Sequence, residues 1–597
     1  MKRLAKWIFA IAIVVVVLLI ALPQLMSSGV VKNRIAAQLT EITGREVTLN
    51  GSSSISLRPY LGVTYSDARI ASSDDDNGNS LATVEELRVQ LGFASAFWGQ
   101  AKVSNVTLIR PRFNLEVDAN GTGNWQLQDG EFAKRLNTSE GQEPEPLSLG
   151  SAEIVDGTVK LNDQLNRVTT ELTAVNGAIN WSDITSALKS NLTAVWNGEI
   201  ANIEIAADSP LNLIRGGVSN ARVVVKSKPL TIVYDGTIDT KLNTASGKFS
   251  SITPSMKSAA DWLSIQSPLA NMTTTFELGG DINVAEGKVA IENASVTLGE
   301  HQGTGQLQFS KKNAAPLTIS GTLAFETLEI PTLPLLSYGG NQTAEQPGHL
   351  DISKLDDVDL DVGVSAKSVN IGSLNAENVA ASMMLRKGGL RLEIGNAEIL
   401  GGTIAGFLDG QPKPETFDFK ADLSLSQVNL EQMSSLVSGT EKGLTGSGDA
   451  EVKLNTEILA GSVQSLNVNG ELDIKSADGT INGIDLSAVY NLSNQNETDG
   501  KDAQVQYVDG ITPYDTLKLK ILIANNTALL REGSLANPTL NASLTGRGEL
   551  NVGTLALRGD IQGLVEESGI LPRPLPFFIG GTVSSPLFVP LPRPSLN

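Results

Sequence analysis

Three carboxylates, Asp357, Asp359 and Asp361, alternate with aliphatic residues, and a second acidic run occupies Asp74, Asp75 and Asp76. Carboxylates at alternate positions are how a calcium loop begins, because their oxygens can converge on one hard cation. Such a loop also needs Gly at its sixth position and a bidentate Glu at its twelfth, where this chain has Val362 and Ser368. The alternation therefore reads as the solvated outer face of a strand, and the earlier run as a solvated loop. Cysteine is absent and the histidines are His301 and His349, far apart in the chain. That excludes disulfide frameworks, thiolate nucleophiles, zinc clusters and lipid-modified cysteine anchors. The phosphate-loop, dinucleotide, zincin and nucleophile-elbow patterns do not occur; Gly247-Lys248 and Gly287-Lys288 lack the upstream Gly and following Ser or Thr of a phosphate loop. Arg558-Gly559-Asp560 falls in an alternating stretch and reads as strand rather than as an adhesion motif. Trp98, Trp125, Trp181 and Trp196 read as core or strand-end residues. Carboxylates are numerous enough to supply a glycosidase pair, and the sequence marks no two of them. The expectation is no catalytic residue, no metal and no cofactor, so not an enzyme, with a hydrolase as an outlying alternative.

Without reactive groups to place, the elements themselves carry the reading. The chain has 597 residues, a net charge of −20 and a pI near 4.7, the wrong sign for a nucleic-acid partner. Charged residues make up only 18%, with 57 glycines, a bias toward short strands and turns. Lys2, Arg3 and Lys6 precede sixteen apolar residues, Trp7 to Leu22, which include Ile8, Phe9, Val14, Val15, Val16, Val17, Leu18, Leu19 and Ile20. At 1.5 Å per residue the run covers about 24 Å, and the flanking Lys6, Leu25 and Met26 extend it toward a bilayer span. A cleaved signal peptide is the alternative, but no A-x-A site follows. The basic N-terminus places the body across the membrane. Val31, Ile35, Leu39 and Ile42 recur at helical spacing before Gly44, one amphipathic helix that should pack on the first strands.

Beyond it the dominant period is two. Leu390, Leu392 and Ile394; Val452 and Leu454; Leu472 and Ile474; and Leu517, Leu519, Ile521 and Ile523 each alternate with polar or small residues, as half-buried strands do. Gly punctuates them, as in GTLAF at 321, GDAEVKL at 448, GELDI at 470 and GRGELNV at 546. Short helices are predicted at 255–264, 430–437 and 485–492, and loops at 74–80, 142–146, 338–347 and 491–504. FFIGG, entered through Pro572, Pro574 and Pro576, reads as a final strand. About 30 strands fit the body, too many for one small barrel, so an apolar face must be covered by another sheet, by helices or by something that is not protein.

The stretch REVTLNGSSSISLRPYLGVTYSDARI from Arg45, with ATVEELRVQLGFASAFWGQAKVSNVTLIRPRFNLEVDANGTGNWQL to Leu127, resembles the N-terminal region of the bacterial AsmA family. LDIKSADGTINGIDLSAVYN at 472–491, and 557–590, resemble its C-terminal region; 150–440 is similar in strand pattern only, and the acidic run at Asp74 departs from the family. The resemblance implies a mainly β protein: one N-terminal transmembrane helix, then an extended, twisted, repetitive antiparallel sheet, an open groove or a curled sheet, with a few short helices. Residues 1–26 would be cytoplasmic tip and anchor, 27–140 the N-terminal helix and β region, 141–440 the repetitive groove region and 441–597 the C-terminal β region.

The resemblance further implies an inner-membrane, single-pass protein with its bulk in the periplasm, acting in outer-membrane biogenesis. Its ligands would be phospholipids and its partners the membrane and other envelope proteins. Relatives of the family carry lipids along apolar grooves, and the physics agrees: a buried methylene is worth about 0.8 kcal/mol, so keeping a C16 chain from water is worth on the order of 12 kcal/mol. Leu517, Leu519, Ile521, Ile523, Leu472 and Ile474 are the groove candidates. The alternative is an envelope scaffold for outer-membrane proteins whose apolar faces are all self-buried.

Overall fold

A computed structural model describes residues 36–593, except 38, 42, 57–61, 73–79, 92–102, 127–129, 131–132, 135–149, 166, 265–273, 312–314, 331–357, 414–415, 439–442, 460–466, 499–509 and 565–572. Strands account for most of it, 29 among the described residues. The chain divides into two units, Met1–Gly299 and Glu300–Asn597.

In the first unit the helical residues 36, 37, 39–41 and 43 end at Gly44, whose φ of 69° and amide bond to the Thr40 carbonyl (2.7 Å) stop the helix. Ala36 and Leu39 pack on a cluster built from Val47, Leu49, Val63, Tyr65 and Leu87, which places Leu39 of the predicted helix on the first strands, while Val31, Ile35 and Ile42 lie outside the described residues. Strands Val47–Leu49 and Ser53–Ser56 both pair with Gly62–Ala71, and the sheet continues antiparallel through Ser80–Leu91 to Val103–Val117. Arg45, 8% exposed, ties this edge to the next turn, its Nη2 donating to the carbonyls of Asn124 (2.6 Å) and Gln126 (2.8 Å). From Ser151–Asp163 to Lys288–Leu298 the strands form an antiparallel meander. Helix α1 (Pro210–Ile214) and helix α2 (Met256–Leu263) interrupt it. The α2 residues fall where a helix was predicted: Ser255 caps the Ser258 amide, Ser264 ends the helix in the left-handed region, and Trp262 is buried with its Nε1 donating to the Trp196 carbonyl at 2.7 Å.

The second unit runs from His301–Ser310 to Ser585–Pro590. Helix α3 (Leu430–Ser438) and helix α4 (Leu486–Thr498) lie at the predicted positions. Asn429 Oδ1 accepts from the amides of Glu431 (2.9 Å) and Gln432 (3.1 Å), and Asp485 Oδ1 from that of Ala488 (2.9 Å), so both helices start on a side-chain cap.

Several expectations need correction. The meander is not antiparallel throughout: Val103–Val117 pairs parallel with Ser151–Asp163, and Leu317–Ile330 parallel with Val358–Ile371. A tight turn can join only antiparallel neighbours, and in sequence 118–150 and 331–357 separate the strands of these two pairs. Residues 491–498, read as loop, belong to α4. FFIGG lies in strand Leu575–Thr582, which is followed by one more strand, Ser585–Pro590. His301 opens a strand and is half-buried, its Nε2 4.0 Å from Glu329. The predicted loops at 142–146 and 338–347, most of that at 74–80, the rest of 491–504, Trp98, His349 and Asp357 lie outside the described residues. So do the anchor residues Trp7, Ile8, Phe9, Val14, Val15, Val16, Val17, Leu18, Leu19 and Ile20. No helix among the described residues is long and apolar enough to cross a membrane.

Candidate functional site: an apolar row across each unit

Strand register shows which side chains stand side by side. In the second unit one row crosses all fifteen strands: Gly305, Leu323, Val364, Ala381, Ile394, Gly406, Leu423, Val452, Leu472, Ile521, Leu530, Gly546, Leu557, Ile579 and Phe588 are successive register partners. Every member is aliphatic, aromatic or Gly. Leu530 and Phe588 are buried, while the other thirteen are half-buried. The first unit has a similar row of twelve: Tyr65, Leu87, Leu108, Ile154, Gly177, Leu192, Ile203, Val225, Ile232, Ser251, Leu278 and Val296. Ser251 is its one aliphatic hydroxyl, and the stretch from Leu192 to Ser251 is half-buried.

Two positions of the row require Gly. Gly406 has φ 137° and Gly546 φ 146°, and a Cβ on either would sit 2.1 Å from the Asp422 carbonyl oxygen or 2.4 Å from that of Ala556. Only Gly lets neighbouring backbones come this close at such a dihedral angle.

The opposite face is charged and solvated. Arg222 faces Asp235 across strands (2.6 Å), Lys520 faces Glu532 (3.1 Å) and Lys248 faces Asp281. The Lys248 bond, helped by one from Asn293, holds the Asp281 carboxyl below its ordinary range, and the Glu532 bond raises the Lys520 ammonium. Asp361, from the acidic alternation, is exposed and 3.3 Å from Arg386, the arrangement of a strand's outer face.

All six groove candidates come together on strands Asn467–Asn482 and Ile511–Ala524, where Leu472 faces Ile521, Ile474 faces Leu519, Leu517 faces Ser476 and Ile523 faces Gly470. Their surroundings differ. Ile474 is buried with Val428, Leu430 and Ala450 where α3 begins, and Leu517 with Leu486, Val489 and Tyr490 of α4. Leu519 packs against both clusters and Leu472 against the first. Ile521 and Ile523 belong to neither and stay half-buried. The clusters built on the two helices thus cover one side of the apolar face and reach the row at Leu472, Ile579 and Phe588. Buried Tyr514 fixes the roofed side: its hydroxyl donates to the Thr445 carbonyl (2.7 Å) and lies 3.0 Å from Ser476 Oγ, and burial pushes its pKa up.

A family model, that of the AsmA family, matches residues 1–314 and 339–521. The chain belongs to the AsmA family. No curated protein and no solved structure matches it.

In this AsmA-family chain the members of the row outside the six candidates were missed from sequence. The signal that finds them is register: walking from hairpin to hairpin and counting bulges at, for example, Ile394/Ala397 and Leu530/Gly533 keeps the apolar positions on one face. Of the tryptophans, Trp196 ends its strand against Trp262 (ring centroids 4.7 Å, edge-on), while Trp125 stands 43% exposed in a turn. Arg558-Gly559-Asp560 lies inside strand Thr554–Gly563. A cavity of about 860 Å³ in the second unit is lined by residues including Ser534, Ser543, Asp560, Arg573 and Arg593.

Proposed function

We propose that this protein binds the acyl chains of phospholipids along its apolar rows, and moves or holds them in outer-membrane homeostasis, with residues 7–22 as an inner-membrane anchor and the body in the periplasm. The role needs no covalent chemistry. The observation that carries it is the second-unit row, which takes an apolar residue or Gly from every strand and leaves thirteen of fifteen positions half-buried. A self-sufficient core would enclose such residues, whereas hydrocarbon can slide over a floor that never presents a hydrogen-bonding side chain. Such a floor discriminates poorly among acyl chains.

The test is site-specific photocrosslinking of the full chain in cells grown on radiolabelled phosphate. A photoreactive residue at Ile521 or Leu557 should capture labelled lipid, and one at Lys520 or Arg558, on the opposite face, should not. Absence of lipid from the row, or equal capture on both faces, overturns the reading. Protein adducts at the row in place of lipid would favour an envelope scaffold.

A further inference from the structure

We propose that one corner of the second unit, formed by the hairpin Leu575–Thr582 and Ser585–Pro590 with the neighbouring turn at 550–553, docks onto the surface of a lipid bilayer. The turn and the hairpin tip are joined by a bond from the Val583 amide to the Gly553 carbonyl (2.9 Å). Beside that bond in the chain stand the exposed Val583 (39%), Val552 (66%) and Leu550 (36%), and farther along the hairpin the exposed Leu587 (61%) and Val589 (38%). Residues 574–592 hold no charged side chain, in a chain where 18% of residues are charged.

The chemistry of the occupant follows from three features. First, the hairpin is apolar on both faces. Phe577 and Phe588 stack on the inner one (centroids 4.9 Å), and Phe578, Leu587 and Val589 lie on the outer one, which carries ion pairs such as Lys520–Glu532 farther into the sheet. A protein groove would cover one face, whereas hydrocarbon and lipid interface surround both. Second, the outer edge does not invite another strand. The Leu591 amide donates to the Pro576 carbonyl (2.8 Å), so by alternation the backbones of residues 586, 588 and 590 turn away from the partner strand, and Pro586 and Pro590 have no amide hydrogen to offer there. Third, the strands have eight and six residues, short of the roughly 9–11 that cross a bilayer. The corner therefore sits in the interfacial layer and does not span it. Being uncharged, it needs no anionic lipid.

This contact stands apart from whether the row carries lipid, and its test separates the two. The chain has no cysteine, so a Val583→Cys variant can carry one environment-sensitive fluorophore, with Thr545→Cys, on the outer face farther from the edge, as the control. The full-length protein, held in nanodiscs, is titrated with phosphatidylcholine vesicles, with and without phosphatidylglycerol. The expected result is a severalfold rise and blue shift at position 583 in both vesicle types, none at 545, and loss of the response in a folded Leu587→Asp/Val589→Asp double variant. Silence at 583, an equal response at 545, or a change at 583 that follows protein concentration without vesicles, meaning a second copy covers the corner, would each overturn the proposal. Row-directed photocrosslinking of the same double variant would still report lipid in the row.

Discussion

Exchanging Ile474 for Asp and exchanging Ile521 for Asp put the same charge on the same face of the sheet, yet the two changes act on different quantities. Ile474 is 6% exposed where α3 begins, so a carboxylate there has neither water nor a partner, a cost of several kcal/mol. Ile521 stands half-buried in the row, where Asp can still reach water. We expect Ile474→Asp to lower the melting temperature by many degrees or prevent folding. Ile521→Asp should leave it nearly unchanged while removing lipid, both checked by a thermal melt with lipid extraction on the same sample. Tyr514 offers a pH test. Burial raises its pKa in the folded state above the ordinary value of 10.0, so the folded protein favours the neutral phenol. That stabilisation is fully present below pH 10 and is lost as pH rises through the higher folded value. Tyr65, 1% exposed, is shifted the same way by burial. Unfolding should set in above pH 10, and Tyr65→Phe should move the onset upward in a pH titration followed by circular dichroism. Tyr514→Phe should do so too, after losing about 1 kcal/mol for each hydrogen bond at neutral pH.

The helices depend on single caps. Asn429→Ala and Asp485→Ala each remove a carboxamide or carboxylate oxygen from two amides or one at a helix start and should cost about 1 kcal/mol. Hydrogen exchange should rise first within 430–438 or 486–498, and equal acceleration across the unit would show that the helices are not separately held. Much at this scale was legible. The three longer helices stood out because apolar spacing and flanking Ser, Asn or Asp agree. Helix α1 did not, since five residues carry too little periodicity and Pro210 reads equally well as a turn. Strand existence was legible from the period of two, which is blind to direction. That is why the parallel junctions after Val103–Val117 and Leu317–Ile330 went unseen. Of the six groove candidates, drawn from the alternations at 472–474 and 517–523, Leu472 and Ile521 stand in the row, while Ile474 and Leu517 are buried in the packed clusters beside it. The rest of the row hid behind bulges and behind glycines, which carry no hydrophobic signal. Gly406→Ala should make their role visible, because the added Cβ meets the Asp422 carbonyl at 2.1 Å. A loss of about 1–3 kcal/mol in a denaturant melt is expected.

For each whole unit, the apolar row lies on one face while ion pairs such as Arg222–Asp235 and Lys520–Glu532 lie on the other. Lipid held by the row should therefore stay bound between low salt and about 1 M salt, conditions that screen exposed charges at about 3 Å. Release of lipid by salt would place the contact at charged groups instead. The row has a consequence for descent as well. Outside its glycines, whose close backbones admit no Cβ, its requirement is met by Leu, Ile, Val, Ala or Phe alike, so substitutions among them leave the floor apolar, while a one-residue insertion that no bulge absorbs turns every later side chain of that strand to the other face. Inheritance in such a protein acts on the parity of spacing more than on letters. Identity can erode across the central strands while the alternation is kept from turn to turn, and the lineage remains readable as a rhythm after its spelling has gone.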